Sequence, residues 1–168
     1  PDGQGVLGKK YFKQIDEAKN NPLGQIWDDP ANDDDVYVAG EMHLVVNKPV
    51  HLVINAKDVI HDVGLPHFRM KMDAVPGTPT TMWFTPRFTT KQMIEKSGNP
   101  NFVYELSCDQ MCGKGHTGMR GTVVVETQEE FDAWLASKTP QSKLANAKPV
   151  MDSLPKTDTV PATTVVRA

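Results

Sequence analysis

FVYELSCDQMCGKGHTGMRGTVVVET, residues 102–127, sets two short runs rich in β-branched and aromatic residues on either side of the only two cysteines in a chain of 168 residues. Residues of that type fit a pleated, half-buried surface, so Phe102 to Ser107 and Thr122 to Thr127 read as strands. The stretch between them, Cys108 to Met119, has the spacing CxxxCxxxHxxM. Gly113, Gly115 and Gly118 interrupt it, and glycine tolerates backbone angles that let a loop turn back on itself. A strand, a donor-rich loop and a second strand are the organising unit.

The same texture continues on the N-terminal side. Tyr37 to Asn47, Val50 to Ala56 and Thr80 to Thr85 are β-rich runs bounded by turn formers, and in the second of them Val50, Leu52 and Ile54 alternate with His51, Val53 and Asn55. Alternation with period two marks a strand with one face buried, and several short strands in succession indicate an all-β sandwich or barrel. Two short helices are expected at its periphery. Thr89 to Ser97 begins at a capping threonine and stops at Gly98-Asn99-Pro100. Thr127 to Ser137 places Glu130 three residues after Thr127, the spacing of a capping box, and gathers Phe131, Trp134 and Leu135 on one face. Trp83 and Trp134 are expected to fill the barrel and its contact with that helix. His43, His51 and His67 are read as surface or packed residues, and no internal repeat is present.

On this reading the chain has three parts. Residues 1–35, rich in Gly, Asn, Asp and Pro, form an irregular lead-in; residues 36–137 form the β domain; residues 138–168, rich in Pro, Thr and Ala and without an aromatic residue, form a flexible tail or linker. The first residues carry no charged-then-apolar leader, and no apolar run approaches the ~20 residues that a membrane-crossing helix needs. The chain therefore reads as a soluble fragment. A formal charge of −3 disfavours a nucleic-acid partner, which would call for clustered Lys and Arg.

The loop chemistry is more specific. Thiolates with imidazole select copper or zinc, and a thioether in the same set points to copper. A blue-copper site uses one cysteine, two histidines and a weak axial methionine, whereas Cys108 and Cys112 offer two thiolates that could bridge two metal ions. A bridged pair needs a second histidine beside His116. His61 in the run DVIH, expected at the end of a strand, is the candidate, with Asp58 placed to orient it. The plainer alternative for the two cysteines is a disulfide.

These residues closely resemble the dinuclear copper (CuA) domain of cytochrome c oxidase subunit II, whose signature looks like CSELCGxxHxxM with an upstream DVLHS. The likeness extends to VHLVINAKDVI (50–60), KMDAVPG (71–77) and Thr122 to Val125, and so covers about residues 36–137. The resemblance implies an all-β, cupredoxin-like Greek-key barrel and two copper ions in a mixed-valence pair. It implies that Cys108 and Cys112 bridge both coppers, that His61 and His116 each bind one, and that Met119 and the carbonyl of Gln110 complete the set. It further implies a one-electron carrier between cytochrome c, or an equivalent haem c donor, and the haem of an oxidase catalytic subunit. Such a domain stands on the periplasmic or outer face of the membrane, joined to it through helices outside these residues. Two departures stand out: Gln110 replaces the family's usual Glu, and the interval from His61 to Cys108 is longer, the excess coinciding with the helix predicted near Thr89. Some subunits of this kind carry a fused cytochrome c after such a tail, but no CxxCH haem motif occurs within these residues.

Overall fold

The computed structural model describes residues 8–145 and the backbone of residues 163–167. These divide into two compact units, one of residues 8–37 and 135–145, the other of residues 38–134 and 163–167.

The larger unit is a two-sheet β structure. Among the described residues its strands are β1 (Glu41–Val45), β2 (Val50–Asn55), β3 (His61–Leu65), β4 (Met70–Ala74), β5 (Thr80–Phe84), β6 (Tyr104–Ser107), β7 (Arg120–Glu126) and β8 (Thr163–Arg167). One sheet has the order β1-β7-β6-β3-β4 and the other β5-β2-β8. All pairings are antiparallel except β1 with β7, which run parallel from Glu41 opposite Thr122 to Val45 opposite Glu126. The alternation expected of β2 is present: Val50, Leu52 and Ile54 are buried, while His51 and Asn55 are exposed. Their inward faces meet Leu44, Val63, Leu65, Met82, Val123 and Val125 in one core. Full burial of one such aliphatic side chain contributes roughly 1.5–3 kcal/mol, so this layer is the main source of cohesion. The all-β class and Greek-key ordering read from the sequence are the ones observed.

Two helices decorate this unit, and both are capped as the sequence indicates. In α1 (Thr90–Ser97) the Thr89 hydroxyl accepts from the Gln92 N–H and the Gln92 side chain accepts from the Thr89 N–H; Gly98 ends the helix in the left-handed region. The Thr90 hydroxyl also accepts from the Val125 N–H at 2.9 Å. Pairing of β6 with β7 stops at Val123, so α1 satisfies a backbone donor that β6 does not reach. In α2 (Gln128–Ala136) the Thr127 and Glu130 side chains exchange bonds with each other's N–H groups, and Lys91 of α1 pairs with Glu130. Trp134 stacks on the buried ring of His43, centroids 3.9 Å apart, while the two ring nitrogens of His43 face Glu126 at 2.6 Å and Glu41 at 2.9 Å. Trp134 thus makes the helix contact expected of it.

Trp83 does not fill the barrel. In β5 it is Met82 that points into the core, and strand side chains alternate between faces, so Trp83 projects outward and is 73% exposed. β3 and β4 add a hairpin that composition conceals, because HDVGL and MKMDA contain Asp and Gly, which are depleted in strands. His61 consequently opens a strand, where the sequence suggested that it closes one.

The smaller unit carries three 3-10 turns, at Phe12–Gln14, Glu17–Lys19 and Pro30–Asn32. Its interior is polar. The buried Gln25 amide donates to Asn32 and Asp35, and the buried Asn32 amide donates to the carbonyls of Lys9 and Ile26. Burial pushes the Asp35 carboxyl up and the Lys10 ammonium down from their ordinary values. A short helix α3 (Gln141–Ala145) belongs to the same unit, with the Gln141 N–H donating to the Asp35 carbonyl at 2.8 Å. Of the segment 138–168 expected to be a flexible tail, residues 146–162 and 168 lie outside the described residues. The run TTVVR within it forms β8, consistent with its β-branched composition.

Candidate metal centre

The loop from β6 to β7 is closed at its base by the Cys108 N–H, which donates to the Met119 carbonyl at 3.1 Å. That bond returns the far end of the loop to its start. Inside it, a 3-10 turn at His116–Gly118 is built on successive bonds from the His116, Gly118 and Met119 N–H groups to Gly113, Gly115 and His116 carbonyls. Gly113 sits at φ 121°, a conformation that side-chain-bearing residues rarely adopt. The loop therefore folds as a compact cup, and the start of β3 brings His61 up to it.

Two free thiols lie at the centre, with Cys108 Sγ and Cys112 Sγ 3.8 Å apart. His61 Nδ1 stands 4.0 Å from Cys108 Sγ, and the Gln110 carbonyl lies 3.2 Å from the same sulfur. On the other side His116 Nδ1 is 3.6 Å and Met119 Sδ 3.3 Å from Cys112 Sγ. All six residues expected as donors are thus gathered around the pair of sulfurs. The donor atoms of His61, Cys108 and Cys112 lie within 4.8 Å of one another, and among the described residues no other trio of His, Cys, Asp or Glu does so. His43 is packed, while His51 and His67 are exposed; none belongs to the cluster.

The side chains around the cup set how the donors face. His61 Nε2 is bonded to Asp58 Oδ1 at 2.7 Å, which turns Nδ1 toward Cys108. Burial raises the Asp58 carboxyl, but the His61 bond and the Val59 N–H outweigh it and hold the group below its ordinary range. Desolvation pushes the Cys112 thiol up, and Cys108 and Asp58 beside it reinforce that shift. Taking up a soft cation must therefore displace a proton from this thiol. Replacing Asp58 with alanine should leave the ring free to rotate and lower copper affinity by about 10–100-fold, the usual cost of losing a group that orients a histidine ligand. Competition against a chelator of known affinity measures it.

Sequence reasoning passed over two features here. Asp62, directly after His61, has a side chain with no exposed surface and bonds the Asp109 N–H of the loop. Val59 and Ile60, each 45% exposed, and Met111, 77% exposed, are exposed apolar residues within two positions of a donor in the chain. The nearness of each to a donor in the chain was the available signal.

Comparison with known proteins agrees with this geometry. Residues 30–128 match the family described as cytochrome c oxidase subunit II, periplasmic domain. The alternative cytochrome c oxidase subunit 2 of Bradyrhizobium diazoefficiens is 34% identical over 152 residues, 90% of this chain and 50% of that protein. Cytochrome c oxidase subunit 2 of Thermostichus vulcanus is 37% identical over 117 residues, 70% of this chain and 31% of that protein. The chain therefore spans half or less of the length of these relatives. Among solved structures, the periplasmic domain of cytochrome oxidase subunit II of Bradyrhizobium japonicum superposes with a TM-score of 0.50 at 30% identity, covering 64% of this chain and 68% of that one.

Proposed function

The chain belongs to the family of cytochrome c oxidase subunit II periplasmic domains, and from that premise we propose that it is a one-electron carrier built on a dinuclear copper centre, taking electrons from a cytochrome c and passing them to the haem of an oxidase catalytic subunit. The single observation that carries the reading is a set of six donors, two free thiols 3.8 Å apart with four further donors around them. Two thiols, two imidazoles and a thioether are soft or borderline donors, the set that suits copper and not a hard cation. Cys108, Cys112, His61, His116, Met119 and the Gln110 carbonyl would hold the copper, which would supply a one-electron couple there. The protein supplies the rest. β3, β6 and β7 hold the donors on a packed scaffold, so that the ligand positions need change little when the charge of the site changes. Asp58 orients the ring of His61. Gln110 contributes its backbone carbonyl, so the replacement of the family's usual Glu leaves the donor set intact.

The family is described as a periplasmic domain, and the chain stands on that side of the membrane; among the described residues no helix is long and apolar enough to cross it. The cytochrome donor, the catalytic subunit and attachment through helices outside these residues belong to the proposal. Val59, Ile60 and Met111, exposed apolar residues within two positions of the metal donors in the chain, suit a contact with the electron-donating protein. The test is copper reconstitution. The loaded protein should be purple, give the paramagnetic resonance hyperfine pattern of one electron shared by two copper nuclei, and accept one electron per two coppers from reduced cytochrome c. A colourless product, or the pattern of a single copper nucleus, would overturn it in favour of simple metal storage.

A further inference from the structure

β3 and β6, the strands that lead to His61 and Cys108, are joined by a single ladder pair, Gly64 opposite Ser107. Continued in the same register, the next positions would set Val63 opposite Cys108 and Asp62 opposite Asp109. The ladder stops short of them. In its place the Asp109 N–H donates to a side chain, Asp62 Oδ1, at 3.3 Å. A backbone bond at that level would draw the strands together; the longer reach of the Asp62 carboxylate holds them apart while still fixing their separation. The Asp109 side chain secures the same point from its other side. Its Oδ1 accepts from the Ser107 hydroxyl at 2.9 Å, and its Oδ2 lies over Gly64, only 2.3 Å from where a Cβ on that residue would stand. The Asp62 side chain has no exposed surface, and its second oxygen has no hydrogen-bond partner among the described residues and lies 3.8 Å from Lys71 Nζ.

We propose that Asp62 is a positioning residue for the metal centre, a side-chain rung between β3 and the donor loop that sets Cys108 against His61. The role rests on the copper reading given above, but the rung itself is a property of the metal-free fold. A buried carboxylate is costly to keep unless its bonds are needed, and an apolar residue at this covered strand position would pack without that cost. The acceptor oxygen is the functional part, so asparagine should serve and alanine should not.

The experiment compares Asp62→Ala and Asp62→Asn in the whole chain by two measurements. In the metal-free protein, hydrogen exchange at the Asp109 amide should quicken about fivefold or more in the alanine variant, since the amide loses the Asp62 acceptor. In the copper-loaded protein, release of copper to a chelator should quicken about 10–100-fold, with a distorted hyperfine pattern. Asp62→Asn should restore both to within about threefold. Gly64→Ala, which displaces Asp109 with Asp62 intact, should reproduce the alanine defect and serves if Asp62→Ala does not fold. Exchange and release within about twofold of the parent in both alanine variants would overturn the rung, as would an asparagine variant as defective as alanine. Should the parent protein fail to give the shared-electron signal, the copper reading fails, while the amide-exchange arm still decides the rung.

Discussion

Cys112→Ser is expected to turn the proposed two-copper, purple protein into one that binds a single copper with the spectrum of one copper nucleus. Cys112 Sγ lies 3.8 Å from Cys108 Sγ, 3.6 Å from His116 Nδ1 and 3.3 Å from Met119 Sδ, so its removal breaks the link between the two sides of the cup. What remains is Cys108, His61, His116 and Met119. One thiolate, two imidazoles and a weak thioether are the donor set of a mononuclear blue-copper site. A serine hydroxyl is a hard, protonated donor at neutral pH and does not replace a bridging thiolate. Metal analysis should show copper content falling by about half, with paramagnetic resonance reporting the change in pattern. The control is His67→Ala, an exposed histidine outside the cluster, which should alter neither. Retention of the shared-electron signal in Cys112→Ser would show that this thiol is no bridge.

The legibility of that centre in the sequence has a simple cause. Five of the six proposed donors lie within Cys108 to Met119, so one short loop that turns back on itself is enough to gather them. His61 was legible through its run DVIH, yet its place at the head of β3 was not, because HDVGL lacks the β-branched texture that marked β2. Asp62 was invisible for a different reason: its role is to bond a backbone N–H of a residue 47 positions away, which no local pattern records. Trp83 was misplaced because TTMWF offers large apolar residues in both phases of the alternation, and only the packing of Met82 against the opposite sheet decides between them. The interior of the smaller unit was not legible as a hydrophobic pattern, since the buried Gln25 and Asn32 are tied into it through hydrogen bonds.

Leu52→Ala should destabilise the protein by about 2–5 kcal/mol, the range for deleting a buried leucine side chain and leaving part of its volume empty. Leu52 is fully buried at the middle of β2, opposite Met82 on β5 and Val166 on β8, and belongs to the core that joins the two sheets. Urea unfolding followed by fluorescence should show a lower midpoint with an unchanged slope, the sign of lost stability and not of altered compactness. Trp83→Ser removes a far larger side chain from the adjacent strand, and hydrophobicity alone would make it the worse change. Because Trp83 is 73% exposed, its replacement should shift stability by no more than about 0.5 kcal/mol. The contrast separates residue type from position. If Trp83→Ser proved as damaging as Leu52→Ala, the outward face of β5 would have to be covered by structure, and the phase assigned to that strand would be wrong. If Leu52→Ala proved harmless, β2 could not be the strand around which the two sheets close, and the rigid seat that the donors of the cup require would have lost its physical basis.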